Sequence, residues 1–272
     1  MTVIRGGVAV ITGAASGIGE SLAHLLAARG AALALADIDA DGLDRLRAAV
    51  GPSAVGCSTH VIDVADRSAI ERFAGEVEAE HGRASLLFNN AGVSLIGRAE
   101  DTLVEDFEWL MRINFWGVVH GCSAFLPLLR REQAAHIVNL SSLFGLVSVP
   151  LQSAYNASKF AVRGYTEALR MELEGSPVAV TCVHPGGVLT PIARRARVSE
   201  RMAGAKHDRL TTLFESRAMT TPEQAAAQIV RAVETNRKRL LVGRDARLID
   251  KIARLLPASY DKLLGLRKLL GS

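Results

Sequence analysis

Tyr155 and Lys159 stand four residues apart in Tyr-Asn-Ala-Ser-Lys, at the head of a stretch with helical periodicity. That spacing puts both side chains on one face of a helix. A free tyrosine titrates near 10, too high to act as a base at neutral pH; a neighbouring ammonium stabilises the phenolate and lowers that value. A core tyrosine beside a surface lysine gives the same pattern, so the pair takes its meaning from its company. Ser142 lies 13 residues upstream, just past the apolar run His136–Leu140. A hydroxyl at a strand end there could hold the oxygen of a carbonyl or an alcohol.

A second group of residues suits a phosphate. Thr12-Gly13-Ala-Ala-Ser16-Gly17-Ile18-Gly19 follows the apolar run Val8–Ile11 and opens a helical segment. Glycines there let the backbone turn sharply and approach a pyrophosphate, and the helix start presents free N–H groups to it. The spacing is GxxxGxG, not the GxGxxG of the commoner dinucleotide fingerprint. Asp37 ends the next apolar run, 18 residues after Gly19. An acid at that place accepts hydrogen bonds from ribose hydroxyls and repels a 2′-phosphate. Ile38 stands where a basic residue would favour that phosphate, and Ala14, Ala15 and Ser16 supply no cation, so the reading is NAD over NADP. Asp37 could instead cap the following helix, a role Asp39 could also take. Asp63-Val64, Asn89-Asn90-Ala91-Gly92 and Pro185-Gly186 likewise fall where strands end.

Elements that bring these residues together can be read from the pattern of apolar residues. Strands are expected at 8–11, 31–36, 55–61, 85–88, 136–140, 178–183 and 239–242. Helices are expected at 17–29, 41–49, 68–81, 103–130 and 153–174. Alternation of this kind implies parallel strands, and strands apolar throughout imply a sheet covered on both faces. The expected fold is therefore α/β: a Rossmann-type doubly wound parallel sheet of about seven strands in a single domain spanning 1–272. Residues 190–221 break the rhythm and are expected to form a substrate lid. Residues 244–272 are expected to form a C-terminal helical extension, in which 248–256 is amphipathic and 263–270 apolar with a basic edge.

In order and spacing these motifs resemble the short-chain dehydrogenase/reductase family, over about residues 5 to 245. The matches are TGxxxGxG from Thr12, NNAG from Asn89, Ser142 with its SxxG, YxxxK from Tyr155, and Pro185-Gly186. The resemblance implies hydride transfer between a nicotinamide cofactor and a CH–OH group. It implies a catalytic set of Asn114, Ser142, Tyr155 and Lys159, with Ser142 preferred to Ser141 and Asn114 ordering a water beside Lys159. The cofactor would lie along Gly13, Ser16, Gly17, Ile18, Gly19, Asp37, Asp63, Val64, Asn90, Ala91, Gly92, Tyr155, Lys159, Pro185, Gly186, Val188 and Thr190. A homodimer or homotetramer through helices 103–130 and 153–174 is also implied.

Composition fits a soluble globular chain of 272 residues. No apolar run is long enough to span a bilayer, and the N-terminal residues lack the layout of a secretory signal. Cys57, Cys122 and Cys182 are isolated and odd in number, which argues against a disulfide framework or a metal site and for the cytoplasm. From Arg194 onward there are 18 basic and 8 acidic residues, a net +10, against −6 before it. Solvated helix faces account for this, with peripheral membrane contact through the C-terminal helices as an alternative. Nucleic acid is disfavoured, because the basic third holds no interleaved aromatics. Ile192, Val198, Met202, Leu210, Leu213 and Phe214 suggest a pocket for a bulky apolar small-molecule substrate. Arg194, Arg195 and Arg197 read as solvated charge, and His184 as a packed side chain. The rival reading is a catalytically silent dinucleotide-binding regulatory protein of the same fold.

Overall fold

The computed structural model describes residues 2–51, 53–199 and 218–266, together with Thr212. Seven parallel strands form the main sheet: β1 (Val8–Thr12), β2 (Ala32–Asp37), β3 (Cys57–Val61), β4 (Leu86–Asn89), β6 (Ala135–Leu140), β7 (Val178–Pro185) and β9 (Arg239–Val242), in the order β3-β2-β1-β4-β6-β7-β9. The order reverses between β1 and β4, and a doubly wound sheet opens its ligand crevice at the carboxyl ends beside such a switch point. Helices cover both faces. One face carries α1 (Gly17–Ala28), α2 (Ala40–Val50) and α7 (Pro222–Glu234), which bury Leu22, Leu43 and Ile229 in one apolar layer with Ile11, Leu33, Val183 and Val242 of the strands. The other carries α3 (Arg67–His81), α5 (Gly117–Leu129) and α6 (Ser153–Glu172), which bury Phe73, Phe125 and Val162. The inner strands β1, β4 and β6 are buried on both sides, which is why they read as largely apolar runs, whereas the edge strands β3 and β9 are only partly covered.

Four features depart from the sequence expectation. The helix expected over 103–130 is divided into α4 (Val104–Met111), a π-helical turn at Arg112–Trp116, and α5. The Gly117 N–H donates to the carbonyl of Arg112, five residues back. A π turn is a single-turn irregularity inside an α-helix, too short to be read from the apolar pattern of residues 103–130. Helix α7 is not among the expected elements, although Thr221, Pro222 and Gln224 form a capping box with proline in the first turn. A two-stranded parallel pair, β5 (Leu95–Ile96) with β8 (Arg197–Val198), ties the start of the expected lid to the body. Finally, Val198 packs at this pair with Ile96 and Ala196. Met202, Leu210, Leu213 and Phe214, and most of the expected lid, lie outside the described residues.

After β9 the chain continues into α8 (Arg244–Leu255) and α9 (Tyr260–Leu263). Ala246 of α8 is buried against Leu143 and Val147, with Ile249 and Tyr260 packed around them. Among the described residues no helix is long and apolar enough to cross a membrane.

Candidate active site

The glycine-rich loop is shaped by close approach. A methyl group on Gly13 would lie 2.7 Å from the Ala91 Cα, and φ is +64° there, so only glycine fits without strain. Asn90 locks the loop to the end of β4: its Nδ2 donates to the carbonyls of Thr12 and Gly13 at 3.0 and 2.9 Å. Thr12 Oγ1 accepts the N–H groups of Asn90 and Ala91. Ser16 precedes α1 but makes no side-chain cap, leaving the first N–H groups of that helix open to an anion. At the other end, Asp37 accepts the Ala15 N–H through Oδ2 and the Asp39 N–H through Oδ1. Asp39, not Asp37, caps α2, by accepting the Gly42 N–H. Each Asp37 oxygen thus keeps a lone pair for a further donor.

A cleft of about 510 Å³ joins these pieces. All the residues expected to hold a dinucleotide line it except Gly19. Gly19 sits beneath, where a methyl group would lie 2.1 Å from the Gly13 carbonyl oxygen; it allows the helix to meet the loop. Sequence reasoning missed Ser94, Ile113, Leu140 and Arg195, which also line the cleft and are neighbours of motif residues. The glycine cradle, the uncapped helix start and the acid at the end of β2 together fit a dinucleotide.

A second cavity of about 560 Å³ lies beside the first and is walled largely by apolar side chains, among them Ile96, Phe144, Val149, Leu189 and Ile192. Ile249, Leu264 and Leu266 of the C-terminal extension complete the wall. Ser142, Tyr155, Pro185, Gly186, Val188 and Thr190 line both cavities. Arg194 faces this second cavity and Arg195 the cleft. Arg197 stacks on Trp109 at 3.8 Å and pairs with Asp106, which anchors β8. Arg194 and Arg195 are both exposed, in keeping with solvated charge, whereas Arg197 departs from that reading through Trp109 and Asp106.

At the junction, Ser142 Oγ accepts the Phe144 N–H at 3.1 Å, which orders the turn that follows β6. The adjacent Ser141 is differently employed: its hydroxyl donates to the Lys159 carbonyl and it does not reach the second cavity. The Tyr155 ring packs edge-on to Phe144, with centroids 6.3 Å apart. Lys159 is 3 % exposed, and its Nζ donates to the Leu140 carbonyl at 2.9 Å and lies 5.7 Å from the centre of the Tyr155 ring. Burial lowers the ammonium to about 8. Burial also raises the Tyr155 phenol, with the Ser142 hydroxyl pulling the other way. The net shift is thus opposite to the expected depression, because desolvation outweighs the nearby ammonium, whose Nζ faces a carbonyl and the ring.

Asn114 does not reach the cleft wall. It is fully buried in the π turn; its Oδ1 accepts the Val93 N–H, and its Nδ2 donates to the Val93 carbonyl and to Ser158 Oγ. Its side-chain amide braces the loop after β4 and ties it to α6 through Ser158. His184 is packed, as expected, and it also supports the site, because its Nδ1–H donates to the Ser142 carbonyl at 3.1 Å. Burial lowers this imidazole to about 4, so it is neutral and holds that carbonyl at physiological pH.

The chain matches the short chain dehydrogenase family over residues 7–201. It is 45% identical over 270 residues to SadH of Mycobacterium tuberculosis, named as an oxidoreductase, covering 97% of this chain and 96% of that one. Among solved structures, a short chain dehydrogenase/reductase from Burkholderia phymatum in complex with NAD superposes with a TM-score of 0.84 at 29% identity, covering 94% of this chain and 95% of that one. A short-chain dehydrogenase from Streptomyces avermitilis gives 0.79 at 29% identity, covering 96% and 99%.

Proposed function

The chain belongs to the short-chain dehydrogenase/reductase family, and from that premise we propose that it transfers a hydride between NAD(H) and a bulky, apolar secondary alcohol or ketone. The observation that carries this reading is the junction of the two cavities at Ser142 and Tyr155. A cleft that fits a dinucleotide and an apolar chamber share Ser142 and Tyr155, a hydroxyl and a phenol ready to handle an oxygen. NAD is favoured over NADP because Asp37 lines the ribose end and Ile38 beside it brings no cation; the Burkholderia relative's complex with NAD agrees.

Bound nicotinamide supplies or receives the hydride. Ser142 holds the substrate oxygen by a hydrogen bond from its hydroxyl. In reduction, Tyr155, kept protonated by burial, gives its proton to that oxygen. Lys159 then stabilises the phenolate left behind, its ammonium being 5.7 Å from the ring centre. In oxidation, Tyr155 takes the same proton back. Asn114 and His184 act through others, the first by holding Val93 and the second by holding the Ser142 carbonyl. We further propose one domain over 1–272, with a lid at 190–221 and an extension at 244–272 that closes the substrate chamber. A cytoplasmic homo-oligomer is in keeping with three unpaired cysteines and the exposed Trp116 and Phe160. The outer face of α8 exposes Arg247, Leu248, Lys251 and Leu255, and peripheral membrane contact would be made there.

The test is a panel of secondary alcohols and ketones with NAD(H) and NADP(H), read at the reduced-nicotinamide absorbance. Turnover with NAD is expected for apolar substrates, and Y155F should lose it by about a thousandfold or more with cofactor affinity little changed. Cofactor binding without turnover across the panel favours the silent regulatory protein instead. Wild-type turnover in Y155F would remove Tyr155 from the mechanism.

A further inference from the structure

Asp245 stands in the first turn of α8, beyond the last strand of the sheet. Its side chain turns back toward the strand ends, where the Gly187 N–H donates to Oδ2 at 2.7 Å. The seat is tight: a methyl group on Gly186 would lie 2.2 Å from Oδ2, and one on Gly243 would lie 2.4 Å from Oδ1. Oδ1 is buried and has no hydrogen-bond partner among the described residues. Asp245 also lines the second cavity, so one carboxylate touches both the 185–187 turn and the chamber beside it.

The turn it holds borders the reactive end of the cleft. Pro185, Gly186 and Val188 line both cavities, whereas Asp37 lines only the cofactor cleft. A hydride can pass only where the cavities meet, so the nicotinamide must lie at this turn and the adenosine ribose at Asp37. Helix α8 also reaches the other side of the junction, where Ala246 packs on Leu143 and Val147 of the turn after Ser142. One helix of the extension thus touches both turns that frame Tyr155.

Resting on the dehydrogenase reading above, we propose that Asp245 is a positioning residue, which fixes the 185–187 turn and through it the nicotinamide half of the cofactor. Its contribution belongs to one half of one ligand, and this separates it from a general prop. ADP-ribose shares all of NADH except the nicotinamide.

The experiment measures the Kd of NADH and of ADP-ribose by calorimetry for wild type, D245A and D245N, with a thermal melt of each. D245A should bind NADH about tenfold more weakly, as loss of a charge-assisted hydrogen bond implies, and ADP-ribose within about twofold of wild type. D245N keeps an amide oxygen for the Gly187 N–H, so its NADH affinity should return to within about threefold. Unchanged NADH affinity in D245A overturns the proposal. So does equal weakening of both ligands, a D245N as weak as D245A, or a D245A melt more than about 10 °C below wild type, each of which marks a structural role. Wild-type protein that binds neither NADH nor ADP-ribose overturns the dehydrogenase reading itself, a result distinct from all of these.

Discussion

Burial holds the Lys159 ammonium at about 8, against 10.5 for the free side chain. Between those two pH values the unfolded chain carries a proton that the folded protein lacks. Stability therefore rises as pH climbs through that window, and the penalty for burying the charge is complete below pH 8. At pH 7 the shift corresponds to about 3 kcal/mol, from which replacing the lysine subtracts about 1 kcal/mol for the Leu140 carbonyl left without its donor. The proposed catalytic lysine is thus destabilising. Lys159→Met is expected to abolish turnover while raising stability by about 1–2 kcal/mol at pH 7. Urea melts at pH 7 and pH 10 check this: the advantage of the variant should shrink at the higher pH. A variant less stable than wild type at pH 7 would count against a buried charge at this position.

At the scale of elements, the π turn at Arg112–Trp116 is the least regular feature near the site. It delivers Asn114 to the Val93 backbone, which takes two of its hydrogen bonds, the third going to Ser158 Oγ. Asn114→Ala would leave a buried N–H and a buried carbonyl without partners. A loss of about 2–4 kcal/mol is expected, measured by urea denaturation, together with weaker cofactor binding, because Val93 and Gly92 are cleft residues. A methyl group on Gly92 would lie 3.2 Å from Asn114 Oδ1 and 3.4 Å from Lys159 Nζ, so this small wall separates the brace from the ammonium. The anchoring of β8 by Arg197, Asp106 and Trp109 works in the same sense, fixing one end of the substrate side to α4.

Over the whole molecule, Trp116 and Phe160 lie exposed on helices that flank the site, at 48 % and 38 %. Large exposed rings on neighbouring helices are typical of a face that meets another copy. Phe160→Glu is expected to shift the protein to a smaller species in light scattering, while an unchanged mass would place any interface elsewhere. The alternating sheet and helices were legible in the sequence because most strands are short, apolar and closed by glycine, asparagine, aspartate or serine. The cleft was legible for the same reason: its residues sit at strand ends, and Gly13, Asp37, Asn90 and Tyr155 announce themselves by type and spacing. Asn114's brace was hidden by the π turn, and β5 and β8 by their length of two residues each. His184 and Asp245 were hidden because their partners, the Ser142 carbonyl and the Gly187 N–H, are main-chain groups far away along the chain.

Asp245, Ile249, Leu264 and Leu266 all follow the last strand, yet they finish the wall around groups that come much earlier. During synthesis, a ribosome will have released Ser142, Tyr155 and Lys159, and most of the sheet, well before these residues emerge. The nascent chain therefore carries its reactive groups for some time with the chamber open on one side. Enclosure arrives with α8 and α9, so a chain cut short after β9 would keep Ser142, Tyr155 and Lys159 and lose that wall.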